Sequence, residues 1–129
     1  MSYFDTVRDY LSELDLVIVQ EDAENEVFVV EDEGSGIKNL VIACADPILI
    51  MEQYLFEVKK PTTEMFEALL KKNRDIIYGA FVLDDSGKKV LFRDTLALEN
   101  LDLNELEGSI NSLELLLSEY SSEIIKFSK

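Results

Sequence analysis

The sequence predicts an α+β domain built on an antiparallel sheet. Apolar residues recur at helical spacing in three separated stretches, and between those stretches the period drops to two in runs rich in β-branched residues. Acidic or glycine-bearing turns join neighbouring runs into hairpins, which makes the pairing antiparallel.

The first helix runs from Tyr3 to Leu14. Phe4, Val7, Leu11 and Leu14 fall three, four and three apart, Ser2 stands as N-cap, and Asp5 lies three residues on. From Leu16 the period is two. Leu16 to Gln20 and Glu26 to Asp32 flank the acidic turn Glu21 to Asn25 and form a hairpin. Glu33-Gly34-Ser35-Gly36 then turns the chain into a third strand, Ile37 to Ala45.

Residues 48 to 58 satisfy two patterns. Asp46-Pro47 is a good helix opening, and Ile48, Met51, Leu55 and Val58 keep helical spacing until Pro61 stops the run. As a strand the same stretch is apolar on both faces, with Ile48, Ile50, Tyr54, Phe56 and Val58 on one and Leu49, Met51 and Leu55 on the other. Periodicity alone does not separate the two.

Pro61-Thr62-Thr63-Glu64 opens a second helix carrying Phe66, Leu69 and Leu70. It ends near Asn73, with Lys71, Lys72 and Arg74 placed where cations complement the helix dipole. Ile76 to Leu83 and Lys88 to Leu96 flank Asp84-Asp85-Ser86-Gly87, a strong hairpin turn. The last helix, Asn104 to about Phe127, opens on an Asn104-x-x-Glu107 capping box and should be about 36 Å long. Gly108, one turn in, costs about 1 kcal/mol relative to alanine, so either a neighbour packs closely there or the helix starts loosely; close packing is favoured.

With 129 residues and 47% apolar content the chain reads as one domain, residues 1–129, with ample material for a core. Cys44 is the single cysteine, and the first residues lack the basic flank and apolar stretch of a signal peptide, so a cytoplasmic location is expected. No apolar run reaches the roughly 20 residues of a membrane-spanning helix. The net charge of −15 repels phosphate backbones and anionic lipid, and favours basic or amphipathic polypeptides as partners. Neither nucleic acid nor a membrane is an expected partner.

Chemistry is sparse. There is no histidine, which removes the commonest general base and metal ligand. Cys44, between Ala43 and Ala45 on an apolar strand, reads as a buried structural thiol. Gly34-Ser35-Gly36 lacks the following helix and lysine of a phosphate loop. Counting Asp22 as the first position of a calcium loop makes Glu33 the twelfth, but Val27 stands where such a loop needs glycine, and Val27 to Val30 read as strand. Asp84-Asp85 belongs to an exposed turn. No metal or cofactor site is expected, and the chain is read as no enzyme.

The order helix, three or four strands, helix, two strands, helix resembles the type III secretion chaperone-like fold, which contains the Tir chaperones and the YbjN-type domains. The YbjN type is the closer likeness. Tyr3 to Leu14 with Leu16 to Gln20, Asn39-Leu40-Val41-Ile42, Ile48 to Val58, Phe66 to Asn73 followed by Gly79 to Asp84, and the closing helix carry it. The resemblance implies that residues 48 to 58 are a strand and that all three helices lie on one face of the sheet. It also implies dimers that hold an extended segment of a client.

If the helices cover one face, the other keeps its apolar side chains. The richer row of residues 48 to 58 is expected to face the helices, leaving Leu49, Met51 and Leu55 as the candidate contact residues on the open face. The chain is therefore expected to be a non-catalytic, chaperone-like or adaptor module, a homodimer that buries an apolar sheet surface against a polypeptide. Its rivals are a small hydrolase or ligand-binding domain using carboxylates such as Asp46, Glu52 or Asp94, and a regulatory subunit.

Overall fold

The computed structural model describes residues 2–129. Ser2 caps the first helix, α1 (Tyr3–Glu13), as the spacing predicts: its Oγ accepts from the Asp5 amide at 3.2 Å and donates to the Asp5 carboxylate at 3.0 Å. Four strands follow, β1 (Val17–Asp22), β2 (Val27–Asp32), β3 (Ile37–Ala45) and β4 (Ile48–Glu57). Residues 48 to 57 are thus strand, and Asp46-Pro47, a cis peptide, is the tight turn between β3 and β4 rather than a helix opening. Helix α2 (Thr63–Asn73) is capped by Thr62, whose Oγ1 accepts from the Met65 amide at 3.1 Å. Strands β5 (Ala80–Leu83) and β6 (Lys89–Ala97) complete the sheet. Residues 76 to 79, expected to open β5, are loop instead.

The closing segment is two helices, α3 (Leu103–Glu119) and α4 (Ser121–Phe127), so the described residues hold four α-helices rather than three. A straight helix of about 36 Å would overrun a six-stranded sheet about 24 Å wide. The bend at Tyr120 (φ −107°, ψ 15°) brings Phe127 back to within 6.5 Å of Phe56, and Tyr120 itself packs 5.9 Å from the Phe81 ring. The cap of α3 also differs from expectation. Asp102, not Asn104, accepts from the backbone two residues earlier than predicted, at the Glu105 amide, 2.8 Å away.

All six strands are antiparallel, in the order β1-β2-β3-β4-β6-β5. Their register aligns Phe28, Ile42, Met51 and Asp94 in one cross-strand row and Val30, Leu40, Gln53, Phe92 and Phe81 in another. Both rows face the helices. Phe4 of α1 stacks on Phe28 with centroids 4.3 Å apart, and Ser109 of α3, fully buried, donates to Asp94 at 2.5 Å. The core is the layer between these rows and Val7, Leu11, Met65, Leu69, Leu106 and Leu113.

Arg8 ties α1 to the β1 edge. Its guanidinium donates to Glu21 at 2.9 and 2.8 Å and to Asp5 at 2.8 Å, and lies 5.1 Å over the Phe4 ring. Those hydrogen bonds hold the Asp5 and Glu21 carboxyls below their usual range. Among the described residues no helix is long and apolar enough to cross a membrane.

Candidate functional site: the uncovered face of the sheet

The alternate rows of the same sheet carry no helix. They run Val29, Val41, Glu52, Arg93; Val27, Ala43, Ile50, Thr95; Ala45, Ile48, Ala97; and Tyr54, Leu91, Val82. Tyr54 is 52% exposed, Val17 at the β1 edge 56% and Val41 39%, while Ile48, Ile50 and Val29 are half-buried by their neighbours. β-branched residues supply most of this surface, as strand propensity favours, and the pleat leaves them pointing away from the helix layer. One polar element crosses it: Glu52 and Arg93 form a cross-strand ion pair that separates the β2–β4 strip from the Tyr54 cluster.

The face expected to be open is the one that is closed. Leu49 is 0% and Met51 1% exposed, both beneath the helices, and Leu55 is half-buried against the core. Ile48, Ile50 and Tyr54, expected inside, are on the uncovered side. Phe56 and Val58 are buried as expected, because a bulge between Tyr54 and Phe56 reverses which residues point inward halfway along β4. Buried Gln53 lies in the inward row before the bulge, its Oε1 accepting from the Lys38 amide at 3.2 Å and its Nε2 donating to the Gly36 carbonyl at 3.4 Å. The signal for the true orientation lay in the turn. Two residues between β3 and β4 set Leu49 opposite Cys44 and Met51 opposite Ile42, so a buried Cys44 places Leu49 inside with it.

The other sequence-singled residues have structural places. Cys44 is buried, and burial together with Glu26 pushes its thiol up to about 11, so it stays protonated at neutral pH. Val27 to Asp32 are strand, which dissolves the calcium-loop spacing. Asp84 accepts from the Ser86 hydroxyl at 2.7 Å, which holds its carboxyl low in the hairpin turn. The three carboxylates of the hydrolase reading do not converge: Glu52 is on the uncovered face, Asp94 on the helix side bound to Ser109, and Asp46 in the β3–β4 turn. Among the described residues no three acidic or thiol groups gather as a metal would require.

Charge is divided unevenly along the molecule. Residues 59–93, which form α2, β5 and the start of β6, carry eight basic and five acidic side chains, net +3. The remaining residues carry four basic and 22 acidic, net −18. The basic part lies at the β5 edge of the sheet. There an apolar groove of about 220 Å³ lies between α2 and β5, lined by Phe66, Leu69, Leu70, Phe81, Val82 and Leu83, with Leu70 and Leu83 exposed.

An antiparallel sheet armoured by helices on one side and left open and apolar on the other is the architecture of the type III secretion chaperone-like fold. The chain belongs to the CesT_Tir_1 family, whose model matches residues 1–129. It is similar in structure to YbjN from E. coli (14% identity, TM-score 0.69, covering 92% of this chain and 91% of that one). It is also similar to the Yersinia pestis type III secretion chaperone SycH, solved in complex with a stable fragment of YscM2 (16% identity, TM-score 0.60, 98% and 100% covered). The HopA1–SchA chaperone–effector complex matches at 14% identity and TM-score 0.65 over 90% of this chain and 91% of that one. No curated protein matches the sequence.

Proposed function

We propose that this protein is a non-catalytic polypeptide-binding module that holds an extended segment of a partner against the uncovered face of its sheet. The observation that carries this is the division of the sheet: among the described residues every helix lies on one side, while the other presents Val17, Val41, Ile50 and Tyr54 with no helix over them. An apolar surface of that kind, crossed only by the Glu52–Arg93 pair, marks an interaction surface. The free β1 edge beside it offers unpaired backbone groups for an added strand. The solved complexes of similar fold support the reading, since SycH and SchA are each seen with another polypeptide. The contact strip is carried by Val41, Ile50 and Tyr54 rather than by Leu49 and Met51. The acidic β1–β3 end steers a basic or amphipathic client towards it.

The working form is a homodimer, joined through the α2–β5 groove. Two copies of a chain with net charge −15 repel almost everywhere, and the net +3 end is where they meet with the least like-charge cost while the acidic ends stay apart. Affinity capture with the wild type and with Val41→Ser/Tyr54→Ser tests the binding face. The variant keeps its circular dichroism spectrum and loses the captured polypeptide. Sedimentation of Leu70→Asp tests the dimer, which shifts to monomer. A wild-type chain that is monomeric at high concentration and captures nothing overturns the whole reading.

A further inference from the structure

The helix side of the molecule holds a second apolar groove, far in character from the sheet face. It has a volume of about 290 Å³ and lies between α3 and the loop that follows α2, residues 74 to 79. The loop is fastened in place. Ser112 Oγ donates to the Tyr78 carbonyl at 2.7 Å and accepts from the Tyr78 amide at 3.3 Å, so one hydroxyl engages both backbone groups of the residue. The Tyr78 ring lies against Gly108, where an added Cβ would come within 3.0 Å of Cε2, and this close approach is the structural reason for a glycine inside α3. Gly79, at φ +83°, lets the chain turn past Phe92, where a Cβ would be 2.6 Å from the ring.

This fixed loop nevertheless holds Ile77 out to solvent at 79% exposure, with Tyr78 and Leu115 of α3 also exposed beside it. Apolar groups presented from a pinned scaffold lose little conformational entropy on contact, which favours binding over folding as their role. The charged groups that line the groove have one sign: they are Asp75 and Glu119, and α3 carries Glu105, Glu107, Glu114 and Glu119 with no lysine or arginine. Arg74, at the start of the loop, lies with Phe66, Leu70 and Lys71 on the α2 surface, and Lys72 is drawn to Glu123 at 3.8 Å and to the Tyr120 ring at 5.4 Å. Burial, with the charges of Glu119 and Asp75, raises the Tyr120 hydroxyl above its usual value, in keeping with a negative field there.

We infer that the α3–loop groove is a second docking site, which takes a cationic amphipathic polypeptide segment. Its apolar side chains seat on Ile77, Tyr78 and Leu115, and its lysine or arginine groups lie beside Asp75 and Glu119. The site is independent of the sheet face, on the opposite layer, so a partner can occupy one while a client occupies the other.

The test is a titration of the ¹⁵N-labelled full chain with a synthetic leucine/lysine amphipathic helix of about 18 residues, long enough to be helical on contact. Amide shifts that saturate together over residues 76–78 and 108–116 are expected. Ile77→Ser/Leu115→Ser should weaken the affinity about tenfold or more, as loss of two apolar anchors does. Asp75→Asn/Glu119→Gln should weaken it less and reduce its dependence on salt. Both pairs replace solvent-facing groups, so a wild-type amide spectrum verifies the fold of each. In Val41→Ser/Tyr54→Ser the shifts over residues 76–78 and 108–116 should appear and saturate as in the wild type. The inference is overturned if the peptide does not bind, if the groove variants bind it as the wild type does, or if the shifts map to the uncovered sheet face, the last of which leaves the sheet-face reading standing.

Discussion

Strand β4 presents two rows of similar hydrophobicity to opposite fates. Leu49 and Met51 are sealed under the helices, while Ile48 and Ile50, one residue away, form part of an open surface together with Tyr54. The difference teaches that hydrophobicity alone does not say which side of a sheet is core. The inner row is fixed by what it meets: Ile42 and Cys44 beside it in the register, and the helix layer above it. The outer row meets its cross-strand neighbours but, among the described residues, no helix, so much of its apolar surface is left available for contact.

The comparison breaks most visibly at Leu49. Leu49→Ala should lower the stability by about 2–5 kcal/mol, measured as the shift of the urea unfolding midpoint, because it opens a cavity in a close-packed layer. A loss below about 0.5 kcal/mol, the range of surface changes, would mean that the two rows have been assigned to the wrong sides.

Gln53 sharpens the same contrast from the polar side. Gln53→Met keeps the volume but strands the Lys38 amide and the Gly36 carbonyl, and should cost about 1–3 kcal/mol in the same assay. The like-sized change Glu52→Gln, one residue along on the open face, should cost less than Gln53→Met, because its partner Arg93 is solvated there.

Acid titration separates the edge from the core. The Asp5 and Glu21 carboxyls are held low by Arg8, so their contribution is present at neutral pH, above the unfolded carboxylate range, and is lost as pH falls through their depressed folded values. Arg8→Met should therefore differ from the wild type at pH 7 and converge with it in strong acid, read from urea midpoints across pH. A gap that widens on acidification would contradict the pairing.

The smallest effect on stability belongs to the open face itself. Val41→Ser/Tyr54→Ser should stay within about 1 kcal/mol of the wild type for the two surface changes together, while polypeptide binding is lost.

Much of the fold was legible in the residues. The Ser2 cap with Asp5, the Phe4–Val7–Leu11 stripe, the Asp84–Gly87 hairpin and the Thr62 opening of α2 all depend on contacts within a few residues, and all stand where the spacing puts them. The strand at 48 to 57 was not legible from periodicity, since a ten-residue apolar run fits either period, and the likeness to a known fold was needed to prefer it. Alternation alone does not give the orientation of that strand, because a bulge changes the parity of β4 midway and counting alternate residues from either end describes half of it. The break at Tyr120 is hidden in the sequence for a related reason. The apolar stripe continues through it, and the bend answers to Phe81 and Phe56, which are remote in sequence. An open apolar face is expected from the residues, but Leu49 and Met51 lie on its covered side, and the close packing of the loop on α3 shows in the sequence only as an ill-fitting glycine at position 108.

By itself the sequence determined the elements, their caps and turns, the acidic balance, the absence of histidine chemistry and a surplus of apolar strand. Those are properties of composition and short-range spacing, and they survive without knowing what packs on what. Only the tertiary structure decided which row of each strand is interior, where the last helix bends, and that residues 59–93 gather the positive charge at one end. Those depend on cross-strand register and on helix placement, where a shift of one residue turns every side chain to the other face of the sheet.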